Sequence, residues 1–181
     1  MKKIQNQLFW VTLLFFIIGM IHISFSIIGL LCFITPFIQY YLYKDKVWCK
    51  YVCPRAGYFN VIIAKINVGL KPPKLFTKIG FKKAVVIYFC INLFFITMST
   101  IMVALGRINP IEEIRFLIAI SVPLQLPQLL DLVLPGYLIH IGYRIYSMMF
   151  TSVVIGTIIG ILYRPRTWCG ICPVNTLTSK S

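Results

Sequence analysis

Three apolar stretches constrain this chain more than anything else in it: Leu8–Tyr43, Ala84–Leu105 and Ile141–Tyr163. The second and third are each close to the ~20 residues with which an α-helix crosses a hydrocarbon core of about 30 Å. The first is too long for one crossing, since at about 1.5 Å per residue a single helix would overshoot. It reads instead as a hairpin, with Leu8–His22 running out and Ile27–Tyr43 returning around Ser24 and Ser26. Both arms are short and suit a thin or locally pinched bilayer. The sequence therefore predicts an all-α integral membrane protein, a single domain over residues 1–181 with four transmembrane helices arranged as two helical hairpins. Its spans are 8–22, 27–43, 84–105 and 141–163, joined by a loop at 44–83 and an outer interfacial segment at 106–140. A composition of 59% apolar residues and a mean hydropathy of +0.87 lie beyond the soluble range and agree. Met1–Ser26 has the basic start and apolar stretch of a signal peptide, but no A-x-A-like site follows, so it is read as a retained span.

The charge follows the same plan. Eighteen Lys and Arg against four Asp and Glu give +14. With the N-terminus inside, one side of the membrane collects Lys2, Lys3, every basic residue from Lys44 to Lys83, Arg164, Arg166 and Lys180. The other keeps Arg107, Arg115 and Arg144, balanced by Glu112, Glu113 and Asp131. The basic side is the cytoplasmic one, which predicts a multi-pass protein of a bacterial-type cell membrane with both termini in the cytoplasm. Topology thus explains the charge, and with no reading motif present nucleic acid is not an expected partner. Membrane lipid is, because loop lysines at anionic headgroups gain on the order of 1 kcal/mol each.

Within the loop, AGYFNVIIAKI has helical spacing along Tyr58, Ile62 and Ile66, or along the neighbouring stripe through Phe59 and Ile63. Pro72 and Pro73 then forbid a continuous helix. The segment INPIEEIRFLIAISVPLQLPQLLDLVLPG is apolar, but Glu112, Glu113, Arg115 and Asp131 would each cost about 2.5–3.5 kcal/mol at the bilayer centre. With Pro123 and Pro127 also removing donors, it reads as helical pieces lying in the outer interface. Ser152, Gly156 and Gly160 form a small-xxx-small face on the last span that lets another helix approach closely.

Chemistry concentrates in two echoes, KDKVWCKYVCPRAG and RPRTWCGICPVNT. An even number of crossings separates them, so Cys49, Cys53, Cys169 and Cys172 end on one membrane face; this holds even if the first apolar region is one helix. Each second cysteine precedes a proline, which is favoured at the first turn of a helix. Cys53 and Cys172 then sit near helix N-caps, where free N–H groups favour negative charge and lower a thiol's pKa. Trp48 and Trp168 are placed to exclude water, and Arg55, Arg164 and Arg166 add positive charge. Four thiolates from two pairs make a full ligand set for a [4Fe–4S] or [2Fe–2S] cluster, or for tetrahedral zinc. Cys-Pro closures favour iron and sulfur; copper, zinc, a metal-free dithiol relay and structural thiols stay open. Disulfides fit a reducing compartment poorly. Cys32 and Cys90 fall inside spans and read as apolar packing residues. His22 and His140, near the outer span ends, read as interfacial hydrogen-bonding residues rather than ligands of a haem, copper ion or quinol.

The motifs with their flanks, KKIQNQLFW, ITPFIQYYLYKDKVWCKYVCPRAGYFN and GILYRPRTWCGICPVNTLT, resemble the membrane-bound 4Fe-4S-binding proteins related to the NapH and NosR electron-transfer proteins. The resemblance implies paired C-x3-C-P-like motifs on the cytoplasmic face, mapped onto Cys49, Cys53 and Pro54 and onto Cys169, Cys172 and Pro173. It also implies electron passage between a quinol pool or cytoplasmic donor and a partner. Two departures stand out: the second motif is one residue shorter than C-x3-C, and no C-x2-C-x2-C-x3-C-P module is present. The leading expectation is an electron-transfer subunit, more than a stand-alone enzyme, holding one cluster, most consistent with [4Fe–4S]. Its donor would be a quinol, or an acidic ferredoxin or flavoprotein drawn to the basic loop. The alternative class is a copper- or zinc-binding thiol protein acting in metal delivery or assembly of a redox complex.

Overall fold

The computed structural model describes residues 2–44, 48–117, 120–122, 127–129 and 134–178. Lys46, Pro123, Asp131 and Lys180 of the sequence reading lie outside the described residues. The chain opens with helices α1 (Lys2–Gln7) and α2 (Phe9–Ile21). At His22 the backbone turns extended, and its Nδ1 accepts the N–H of Ser24 to start a 3-10 turn over Ile23–Ile28. Helix α3 (Gly29–Tyr43) follows. The first apolar region is therefore broken near the expected serines, not one long helix.

A π turn (Trp48–Val52), α4 (Pro54–Tyr58), a second π turn (Phe59–Ile63) and α5 (Ala64–Ile66) make up the helical part of the loop. Helix α6 (Ile79–Ala104), the strands β1 (Arg115–Phe116) and β2 (Ile120–Ser121), and helices α7 (Gly136–Leu162), α8 (Thr167–Ile171) and α9 (Pro173–Leu177) complete the order. Among the described residues three helical segments are long and apolar enough to cross a membrane: Ile23–Tyr43, Ile79–Ala104 and Gly136–Leu162. Gln5–Ile21, where the sequence places a fourth span, is a shorter apolar helix. The last two spans begin at Ile79 and Gly136 rather than at Ala84 and Ile141, because a helix continues through polar first-turn residues such as Lys82 and His140 that hydropathy excludes. Ile87, Ile91, Phe94, Phe95 and Met98 leave α6 with an exposed apolar surface, as expected of a lipid-facing helix.

The chain divides into two compact units. One comprises Met1–Leu13, Cys32–Phe89 and Val153–Ser181. Here the loop helix buries Phe59 and Ile63, each at most 1% exposed, while Ile66 is 56% exposed; the second of the two possible stripes is the one used. Gly160 makes room for this face, since a Cβ there would stand 2.9 Å from Ile63 Cγ2. Beyond α5 the chain runs extended along the end of α7. Asn67 Nδ2 donates to the carbonyls of Gly160 and Tyr163, both at 2.6 Å, and the N–H groups of Val68 and Leu70 donate to Ile161 and Leu162. Those carbonyls are among the ones a helix end leaves without partners.

The other unit comprises Leu14–Leu31 and Cys90–Ser152, with a core of Ile23, Ile114, Tyr143 and Tyr146 flanked by Phe15, Phe16, Ile139 and Phe150. Its outer segment departs from the expected helical pieces. Among the described residues it is extended, with β1 and β2 pairing antiparallel. The reason lies in α7: the N–H groups of Ile111, Arg115 and Leu117 donate to His140 Nδ1, Ser147 Oγ and Thr151 Oγ1. Side chains on one helical stripe thus take the backbone donors that a local helix would otherwise satisfy. Because His140 Nδ1 accepts, Nε2 carries the proton toward Ser99 Oγ at 3.0 Å, and Ser99 donates onward to the Ile96 carbonyl. Both ring nitrogens are used, which leaves His140 a structural residue.

Replacing Asn67 with Ala removes two short bonds to the end of α7. We expect a loss of about 1–3 kcal/mol, read as a lower thermal midpoint of detergent-solubilised protein with helix content retained.

Candidate metal centre

Both cysteine motifs fold by one local rule. In each, the N–H of the second cysteine donates to the carbonyl of the tryptophan: Cys53 to Trp48 at 2.8 Å and Cys172 to Trp168 at 2.9 Å. The first ring is one residue longer and is accommodated as a π turn, the second is an α turn. The extra residue of C-x3-C over C-x2-C is absorbed there, as π-bulges absorb insertions at functional sites. Beyond the cysteine the two copies coincide again. Cys53 (φ −58°, ψ 114°) and Cys172 (φ −50°, ψ 129°) are N-caps, and Pro54 and Pro173 open the short helices α4 and α9.

Four thiols, those of Cys49, Cys53, Cys169 and Cys172, line one cavity of about 230 Å³. The wall also includes Lys50, Arg55, Arg166, Trp168 and Phe59. Trp48 and Arg164, expected nearby, are not among the lining residues. The backbone carrying the thiols is clamped by side chains that sequence reading did not single out for this. Gln5 Nε2 and Arg166 Nη2 both donate to the Cys49 carbonyl, at 3.2 and 3.3 Å. Asn175 Nδ2 donates to the Cys169 carbonyl at 2.9 Å, and Thr176 Oγ1 to that of Cys172 at 3.1 Å. Gln5 is 1% exposed, and a Cβ at Gly57 would collide with its carbonyl oxygen, so α1 lies directly on α4. An amphipathic spacing of Gln5 against Phe9 was the only available signal, and it names no partner.

Burial dominates the electrostatics of the C-terminal pair. It pushes the Cys169 thiol up to about 12, reinforced by Cys53 and Cys172 and opposed by Arg166 and Arg55. Burial also raises Cys172, against Arg55 and the N–H groups of Asn175 and Val174. The N-cap placement is as expected, but the net lowering expected from it does not follow, because desolvation outweighs the N–H donors. A thiol raised as Cys169 is makes a poor nucleophile. Arg55 lies among these groups: burial opposes its charge, but Cys32, Cys172, Cys53 and Cys169 around it outweigh burial and raise it.

The donor set fits a cluster better than a single ion. Tetrahedral zinc with bonds of about 2.3 Å draws its sulfurs to within about 4 Å of one another. Among the described residues no three His, Cys, Asp or Glu side chains are gathered in that way, although four thiols share the cavity wall. A cubane spreads its ligands over separate iron corners and suits such a wall. Trp168 adds an independent sign: its Nε1–H is buried with no partner among the described residues, and the residue lines the cavity. A sulfur-rich anionic group would accept that donor. The two cysteines within candidate spans differ from the expected core packing: Cys90 is exposed on α6, and Cys32 is only partly buried, beside Arg55.

Two segments, residues 25–73 and 146–179, match the family described as 4Fe-4S binding domain. They contain both Trp-Cys motifs. The match supports an iron–sulfur-binding protein, with an iron–sulfur cluster of the [4Fe–4S] type as its cofactor. No curated protein and no solved structure matches the chain.

Gly156 keeps this wall in shape, since a Cβ there would collide with Phe59 Cζ and stand 3.1 Å from Trp168 Cδ1. Gly156→Val overfills the contact, with an expected cost of about 1–3 kcal/mol. The change is measurable as a lowered thermal midpoint accompanied by a shifted tryptophan emission.

Proposed function

We propose that this chain is an integral-membrane electron-transfer protein in which Cys49, Cys53, Cys169 and Cys172 ligate one [4Fe–4S] cluster at the cytoplasmic face. The observation that carries the reading is the meeting of four thiols from the two Trp-Cys motifs on one cavity wall, in segments that resemble a 4Fe-4S binding domain. Bound there, the cluster supplies one-electron chemistry. The chain's own residues do the rest: the four sulfurs hold the iron, the Trp-carbonyl rings fix the second cysteine of each pair, and Trp168 and Phe59 exclude water.

Few groups for acid–base work stand near the thiols. Arg55, Arg166 and Lys50 stand on the wall, and among the described residues no carboxylate lines it. Both termini lie in the cytoplasm under this reading, and the exposed lysines Lys65, Lys71, Lys74 and Lys78 offer a basic surface to anionic lipid and to an acidic ferredoxin or flavoprotein. A quinol is the alternative source of electrons.

Protein purified without oxygen should contain iron and acid-labile sulfide, absorb broadly in the visible, and give an EPR signal on reduction. Cys49→Ser and Cys169→Ser should each lose most of that iron and sulfide. Copper or zinc bound without sulfide, or full cluster content in both variants, refutes the assignment.

A further inference from the structure

We infer that Arg55 is the fixed counter-charge that sets the reduction potential of the cluster, and that Cys32, a fifth thiol outside the ligand set, holds Arg55 in position. The inference rests on the ligand assignment proposed above and concerns residues to which that assignment gives no role.

Arg55 follows Pro54 directly, in the first turn of α4, so the turn that presents Cys53 also presents the guanidinium. It lines the cavity together with the four proposed ligands and interacts electrostatically with Cys172, Cys53 and Cys169. Two consecutive residues of α3 hold it from outside the cavity. The Cys32 side chain lies beside Arg55, and the guanidinium carbon stands 5.8 Å from the centroid of the Phe33 ring. Phe33 is itself buried and meets Phe89 at 5.7 Å, so this support is anchored.

Three cations line the cavity, and exposure decides which of them matters. Lys50 and Arg166 are exposed, and Arg166 spends a donor on the Cys49 carbonyl, whereas Arg55 is not exposed. Solvent and salt screen the first two far more than the third. Reduction adds one electron to a group already negative with its thiolates, while no bond forms or breaks. A nearby positive charge in a medium of low dielectric stabilises the reduced form more than the oxidised form. Cys32 does not line the cavity, which separates it from the ligands despite its closeness to Cys53 and Cys172.

The test is a dithionite titration followed by EPR on the full chain in detergent, with iron and sulfide determined on the same samples. Arg55→Gln should keep its iron and sulfide and lower the equilibrium constant for reduction at least tenfold, which for one electron is ~59 mV toward negative potential. Arg55→Lys, which keeps the charge, should stay within about threefold of the parent. Cys32→Ala should retain full iron and sulfide and shift several-fold in the direction of Arg55→Gln. An unmoved potential in Arg55→Gln overturns the inference, as does a tenfold loss in Arg55→Lys. If Arg55→Gln fails to load, Arg55→Lys and Cys32→Ala decide. Loss of the cluster from Cys32→Ala makes Cys32 a ligand and also overturns it. Failure of the underlying assignment looks different: the parent protein lacks sulfide, or Cys49→Ser and Cys169→Ser keep their clusters.

Discussion

The carbonyl of Cys49 accepts two side-chain donors, Gln5 from the first helix and Arg166 from the C-terminal motif, 44 and 117 residues away in sequence. That single oxygen ties three distant parts of the chain together around the first cysteine pair. Similar restraints recur at Cys169 and Cys172, whose carbonyls are held by Asn175 and Thr176. Ligand geometry in such a site depends less on the thiols than on the backbone beneath them, and outer partners of this kind orient inner ligands in metal centres generally. The loop helix contributes by burying Phe59 and Ile63 against the glycine-lined end of α7.

The unequal motifs become equivalent at the level of hydrogen bonding. A π turn and an α turn both deliver the second cysteine's N–H to the tryptophan carbonyl and both launch a proline-opened helix. Spacing alone suggests two different geometries. The backbone shows a common one with a single inserted residue, so counting residues between cysteines describes such a site less well than tracing the ring that closes on the tryptophan.

Much of the plan was legible in the chain. The apolar runs mark the helices, the Ser24–Ser26 neighbourhood marks the break in the first run, and Pro72 and Pro73 fall in the non-helical stretch beyond the loop helix, which ends at Ile66. The meeting of the four thiols follows from counting crossings, because parity is insensitive to where each span begins. Other features depend on partners that composition cannot name. The extended form of Ile111–Leu117 arises because His140, Ser147 and Thr151, on a helix that comes later, accept its amides. Cys32 looks like any apolar thiol in a span until Arg55 is found beside it. The N-cap position of Cys172 points to an acidic thiol, and only burial reverses the sign; burial raises Cys169 as well.

That reversal has a consequence for the life of the polypeptide before its iron arrives. A sulfhydryl pushed up to about 12 is almost wholly protonated at neutral pH. Exchange with glutathione and oxidation to sulfenic acid both proceed through the anion. In the folded chain the buried Cys169 offers little anion to either reaction, and delivery of the metal must be accompanied by release of its proton.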